Sequence, residues 1–226
     1  MKKLRTIIRW VIWTIAGLYI TTIVLLHIPA VQGFLAQKVG DVAGNKLGTE
    51  VHVGRIDLGF INRFVLDDIL IYDQSHKKML SASRVGARVD IWHLLRTGEI
   101  NISSAQLFGL RAELYKTSKD AKPNFQFVLD SLASKDTTSH APLHLSINSL
   151  VIRHGNIKYD CLDAPTTPNR LNLNHINVSD ISSYLILNKL DDTSVWADLR
   201  ALAFKEASGL EVKQLAFELK ANQQQA

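Results

Sequence analysis

Between Trp10 and Leu26 the chain carries no charged side chain and is dense in Ile, Val, Leu and Trp. From Thr49 onward apolar and polar positions alternate with a period of two. The first pattern predicts a membrane-spanning helix, the second a series of half-buried strands. At about 1.5 Å per residue, residues 10–28 nearly cross a roughly 30 Å hydrocarbon core. The anchor side chains expected in lipid are Trp10, Val11, Ile12, Trp13, Ile15, Leu18, Tyr19, Ile23, Val24, Leu25 and Leu26. The run exceeds the about 7–15 apolar residues of a cleaved signal, and no Ala-x-Ala-type site follows promptly, so an uncleaved anchor is expected. Lys2, Lys3, Arg5 and Arg9 precede it and Lys38 is the first basic residue after it. That asymmetry keeps residues 1–9 in the cytoplasm and sends the bulk across the membrane.

Residues 29–48 predict a second, amphipathic helix. Pro29 suits a first helical turn, Val31, Leu35, Val39 and Val42 recur at helical spacing, and Gly48 can end it. Gly33, Gly40 and Gly44 weaken the helix. Such a segment either lies on the membrane surface or covers one end of a sheet, the second being the commoner fate.

The alternation is clearest where Val85, Ala87, Val89 and Ile91 face one way and Arg84, Gly86, Arg88 and Asp90 the other. It recurs at Leu110, Ala112 and Leu114, at Leu143, Leu145 and Ile147, at Ile157 and Tyr159, and at Leu215, Phe217 and Leu219. Turn formers break it at residues 73–76, 96–98 and 153–156. Phe125, Val128, Leu129 and Leu132 predict a short helix within residues 124–133, residues 134–142 a polar connector, and residues 164–169 a second Pro-rich break. The expected organisation is one β unit over 49–133 and a second over 143–226.

Charge adds little. The 26 basic and 21 acidic side chains give +5, and the four cations before the anchor leave +1 for the rest. No basic stripe for a phosphate backbone exists, so no nucleic-acid partner is expected. Cys161 is the sole cysteine, which excludes an intramolecular disulfide and favours a small buried apolar role.

Catalytic chemistry finds no motif. His140 and His144 have zincin spacing, but Pro142 lies between them and no Glu follows His140. Asp67-Asp68 and Asp191-Asp192 are adjacent carboxylates that a strand would point to opposite faces, which leaves them as solvated turn or strand-end groups. Neither a G-x-S-x-G elbow nor a phosphate-cradling glycine loop occurs. The expectation is a non-enzyme with no cofactor and no metal.

An apolar sheet face has to be covered by a second sheet or helix, by barrel closure, or by an apolar ligand. Little helical sequence is available for cover beyond residue 48, so a compact sandwich and an open, curved antiparallel sheet holding lipid chains both remain. The candidate lipid-facing positions are Val85, Ala87, Val89, Ile91, Leu110, Leu114, Leu143, Leu145 and Ile147.

Several strings resemble the AsmA-like, TamB-type envelope proteins of Gram-negative bacteria. They are IPAVQ at 28–32, LGTEVHVGRI at 47–56, LDDILIYD at 66–73 and VDIWHLLRTGEINI at 89–102. NFQF at 124–127 and FKEASG at 204–209 are similar to the Bacteroidetes branch. The resemblance implies an inner-membrane anchor and a periplasmic, elongated β-groove that carries phospholipid or assists outer-membrane protein assembly. It also implies that this stretch corresponds to the N-terminal portion of a longer parent whose distal parts meet an outer-membrane, TamA-like partner. No catalytic residue is carried over. Lipid handling is the first expectation, and client-strand pairing at exposed sheet edges the second.

Overall fold

The computed structural model describes residues 2–59, 62–90, 92–93, 96, 101–133, 146–167, 170–190 and 194–222. The expectations placed on Ile91, Leu143 and Leu145, on His140 with His144, on Asp191-Asp192 and on the connector at 134–142 lie outside these residues.

Helix α1 spans Lys2–Leu26. Its stretch Thr6–Leu26 is long and apolar enough to cross a membrane, and its apolar window is not buried against the rest of the chain. Trp10 and Trp13 are 71% and 70% exposed. The hydroxyls of Thr14 and Thr22 donate to the carbonyls of Trp10 and Leu18, both at 2.9 Å. These bonds satisfy both hydroxyl donors within the helix, where hydrocarbon could not. Length and composition fit a single-pass anchor and a signal sequence alike.

Helix α2, Pro29–Leu47, starts with Pro29 in its first turn and stops at Gly48, whose φ of 67° is left-handed and whose N–H donates to the Gly44 carbonyl. Its inward stripe is Leu35, Ala36, Val39, Gly40, Ala43, Gly44 and Leu47, while Val42 points away at 60% exposure. The small residues decide the packing. A Cβ on Gly40 would sit 2.8 Å from the Val51 carbonyl oxygen, and one on Gly44 would sit 2.7 Å from that of Thr49. The glycines that count against helix propensity therefore let α2 lie close on the first strand. Ala36, fully buried, forms a core there with Val53 and Ile56, flanked by Leu35, Val39, Val51, Phe64 and Leu66.

Ten strands form one sheet among the described residues: β1 (Val51–Leu58), β2 (Arg63–Tyr72), β3 (Lys78–Val89), β4 (Asn101–Phe108), β5 (Arg111–Lys116), β6 (Ser146–Ile147), β7 (Ser149–Cys161), β8 (His175–Leu190), β9 (Ser194–Glu206) and β10 (Glu211–Asn222). The lateral order is β1-β2-β3-β4-β7-β8-β9-β10, with β5 beside β3 and β7 and β6 beside β4. Neighbours pair antiparallel except at one joint, where β4 and β5 run parallel to β7 and β6 runs parallel to β4. The expected large antiparallel sheet is present, built as two antiparallel halves joined in parallel. The reason is the crossover after β5, which returns the chain to the sheet's other end and contains helix α3, Gln126–Ala133.

The break expected at residues 153–156 is not a turn, since β7 runs through it. His154 there takes a left-handed φ of 55°, and Asp68 in β2, Gly109 between β4 and β5, and Asp180 in β8 take 54°, 63° and 55°. These residues mark one line across the sheet. A Cβ on Gly54 would meet the Asp68 Cβ at 3.0 Å, one on Gly109 would meet the Ser83 hydroxyl at 2.6 Å, and the Gly109 N–H donates to Arg153. Along it the apolar alternation slips by one residue, giving the pairs Val53/Ile56, Leu66/Ile69, Ala82/Val85, Leu107/Leu110 and Val178/Ile181. Because Val53 and Ile56 share the core with Ala36, the apolar residues on both sides of the slip point to one face. Left-handed non-glycine residues cost on the order of 1 kcal/mol each. What they secure is a single apolar face through long strands.

Candidate functional site

The strand registers place apolar residues opposite apolar residues right across the sheet. Ile56 faces Leu66, which faces Val85, then Leu107, Ile152, Ser183, Leu202 and Leu215, with Ser183 the one polar member. One pair along, Phe64 faces Ala87, then Ala105, Leu150, Leu185, Leu199 and Phe217. Directly opposed residues share a face, so these are two adjacent rows on one side of the sheet. Beyond the slip a third row continues through Val51, Ile71, Leu80, Ala112, Ile157 and Val178. Seven strand spacings of about 4.8 Å make the full row roughly 34 Å long, comparable to a bilayer's hydrocarbon core.

Cover along this face is uneven. Ile56 under α2 is 6% exposed, whereas Leu215, Phe217 and Leu219 in the edge strand β10 are 42%, 52% and 48% exposed. Of the positions expected to be lipid-facing, Val85 and Ala87 are half-buried row members, Val89 is buried and lies opposite Ile102, Leu110 is buried and Leu114 half-buried. The backbone of Ile147 pairs with Ile102. Nothing in the alternation of one strand alone reveals the row; it emerges when registers align the strands, and of its members only Val85 and Ala87 in β3 were among the expected positions, those in β1, β2, β4, β7, β8, β9 and β10 being missed.

The reverse face is polar and locally neutralised. Asp67 lies between its register partners Arg55 and Arg84, with Arg55 Nη2 at 2.6 Å from Oδ2 and Arg84 Nε at 2.7 Å from Oδ1. The guanidinium of Arg84, helped by that of Arg55, outweighs partial burial and holds the Asp67 carboxyl below the usual range. Asp67 is therefore a mid-strand ion-pair centre rather than a solvated strand end, and Asp68 is the left-handed residue beside it.

A cleft of about 370 Å³ lies between the β2–β3 turn, the end of β5 and the start of α3. Its deepest carboxylate, Asp73, is 2% exposed. Burial pushes the Asp73 pKa up, but the backbone N–H of Lys77, the Tyr115 hydroxyl, the Ser75 N–H and the Asn124 amide together hold it below the usual value. With its lone pairs occupied, Asp73 fastens the turn to β5 and offers no base. Cys161 is fully buried, and its thiol donates to Asp163 at 3.0 Å. That bond, with burial, raises the thiol pKa, so the group is a poor nucleophile. Among the described residues no three His, Cys, Asp or Glu side chains converge to hold a metal.

His175 fastens the segment after β7. Its Nδ1 is 3.0 Å from Asp160 Oδ1 and its Nε2 is 2.9 Å from the Ala164 carbonyl, two acceptors that only the imidazolium can satisfy. The Asp160 bond, then the Ala164 carbonyl, raise its pKa above 6.5. A raised folded pKa gives stability that is fully present below the unfolded value of about 6.5 and is lost as pH climbs through the folded pKa. His175→Gln is therefore expected to lower the melting temperature measurably at pH 6 and much less at pH 9. An equal deficit at both values would show that the charge on His175 contributes nothing.

No protein-family model matches the chain, and no curated protein matches it.

Proposed function

We propose that the protein is a membrane-anchored scaffold whose apolar sheet face binds phospholipid acyl chains. The observation that carries this reading is the apolar register from β1 to β10, interrupted only by Ser183, covered by α2 at one end and exposed at the β10 edge. Each CH₂ removed from water contributes about 0.8 kcal/mol, so burial of acyl chains along the strands is favourable. In this reading α1 is a single-pass inner-membrane anchor with its N-terminus in the cytoplasm, and the sheet is an open periplasmic groove. The resemblance to AsmA-like, TamB-type proteins supports the same role in lipid movement between membranes. A photoreactive residue placed in the row of the full-length, membrane-embedded chain is expected to capture phospholipid. Capture of no lipid at any row position would overturn the proposal.

A second reading rests on the edge. Among the described residues β10 pairs with β9 alone, and it carries Leu215, Phe217 and Leu219 exposed on one face. Its outer backbone groups can accept a client strand by sheet extension, as an assembly module for outer-membrane β-barrel proteins would require. Crosslinks from β10 to protein rather than lipid would favour it.

A further inference from the structure

The contacts of α2 fix which corner of the sheet lies nearest the anchor. Gly44 lies against Thr49, Gly40 against Val51, and Ala36 against Val53 and Ile56, so α2 runs antiparallel to β1. Seven residues before Ala36, Pro29 is about 10 Å further along, level with the end of β1 near Leu58. Only His27 and Ile28 separate α2 from the last residue of α1. The end of β1 is in turn level with the start of β2 and the end of β3, where Leu58 faces Phe64, Phe64 faces Ala87 and the Val89 N–H donates to Asn62.

Two features of this corner are unfavourable for a surface that meets only water. Trp92, just beyond β3, is 76% exposed, the most exposed of the described large apolar side chains. Arg63 and Arg88 face each other directly across β2 and β3, both exposed, and Arg96, four residues after Trp92 in the sequence, is exposed as well. Like charges directly opposed in a sheet are destabilising. None of the three arginines forms an ion pair among the described residues, although Asp57 and Asp90 lie at the same end, Asp90 accepting the His93 N–H at 3.0 Å. Tryptophan favours the bilayer interface, where its ring is half in hydrocarbon and its N–H is wet. Guanidinium groups bind phosphate oxygens bidentately.

We propose that Trp92, Arg63, Arg88 and Arg96 form a second membrane contact, seated in the anionic headgroup layer of the bilayer that α1 crosses. The contact rests on the reading of α1 as an anchor, and it sets the β1–β3 corner, rather than the β10 edge, against the membrane. It supplies what α1 alone lacks, a fixed tilt and rotation of the sheet over the lipid surface. The anionic headgroups relieve the Arg63–Arg88 repulsion that the fold tolerates.

The test uses the full-length chain in nanodiscs of phosphatidylcholine with and without phosphatidylglycerol. Trp92→Cys carries an environment-sensitive fluorophore, the buried Cys161 leaving it as the reactive thiol, and Glu211→Cys on the far corner is the control. With a doxyl quencher near the headgroup, the label at 92 is expected to lose emission when phosphatidylglycerol is present. The label at 211 should not change, and Arg63→Gln with Arg88→Gln should return the 92 signal toward the control. Quenching at 92 no stronger than at 211, or equally strong without phosphatidylglycerol, overturns the contact. Lipid capture by the row is read separately. Row capture with an unquenched label at 92 therefore overturns this contact alone, and a quenched label without row capture supports the contact while overturning the lipid track.

Discussion

Replacing Gly40 by valine is expected to lower the melting temperature of the protein by on the order of 10 °C. A Cβ there meets the Val51 carbonyl oxygen at 2.8 Å, and the obstacle is backbone, held in the β1–β2 ladder, so it cannot swing aside. Moving α2 outward instead would open the core of Ala36, Val53 and Ile56. Overpacking of this kind costs about 1–3 kcal/mol, and partial loss of the core adds to it. Gly33 in the same helix has nothing within 4 Å of its Cβ position, so Gly33→Ala is expected to be neutral or to stabilise by about 0.5–1 kcal/mol through helix propensity. Thermal melting of the two variants in detergent separates packing from propensity. Equal melting temperatures would mean that α2 is not seated on β1.

Val89→Asp is expected to lower the melting temperature by on the order of 10 °C, while Phe217→Asp leaves it within a few degrees of wild type. Both residues lie on the apolar face, but Val89 is 8% exposed and Phe217 is 52% exposed. An unpaired carboxylate at Val89 has no partner and little water, a cost of about 3–5 kcal/mol against a total stability of roughly 5–15 kcal/mol. At Phe217 the charge stays hydrated. On the sequence pattern Val89 is a candidate lipid-facing residue, and in an open groove a charge there would be tolerated. The structure puts it in the packed part of the face, and the open part lies at β10. A cooperative, wild-type-like melt of Val89→Asp would contradict that division.

The long apolar helix α1 was legible because its signal is one long uncharged run, and α2 because Pro29 and Gly48 bracket it. Strands were legible wherever alternation persisted over several residues, as in Val85 to Val89 or Leu215 to Leu219. Three things were not. The parallel joint between β4 and β7 depends on where a crossover lands, which local periodicity does not encode. The residues around His154 have turn composition, yet β7 passes through them because a left-handed residue can sit inside a strand when its neighbours make room. Asp67 read as a solvated group because its partners, Arg55 and Arg84, belong to other strands. The slip line had a signal that could have been found: an apolar spacing of three instead of two in successive strands, beside Asp, His or Gly.

The central claim is that one face of this sheet holds acyl chains, and photo-crosslinking at adjacent residues tests it most directly. Leu150 and Leu215 lie on the apolar rows, while their neighbours Val151 and Ala216 point to the opposite face. With p-benzoylphenylalanine at each of the four positions of the full-length protein in native membranes, the account predicts phospholipid adducts by mass spectrometry at 150 and 215 and none at 151 and 216. Equal labelling of both faces, or protein adducts alone at Leu150 and Leu215, would contradict it.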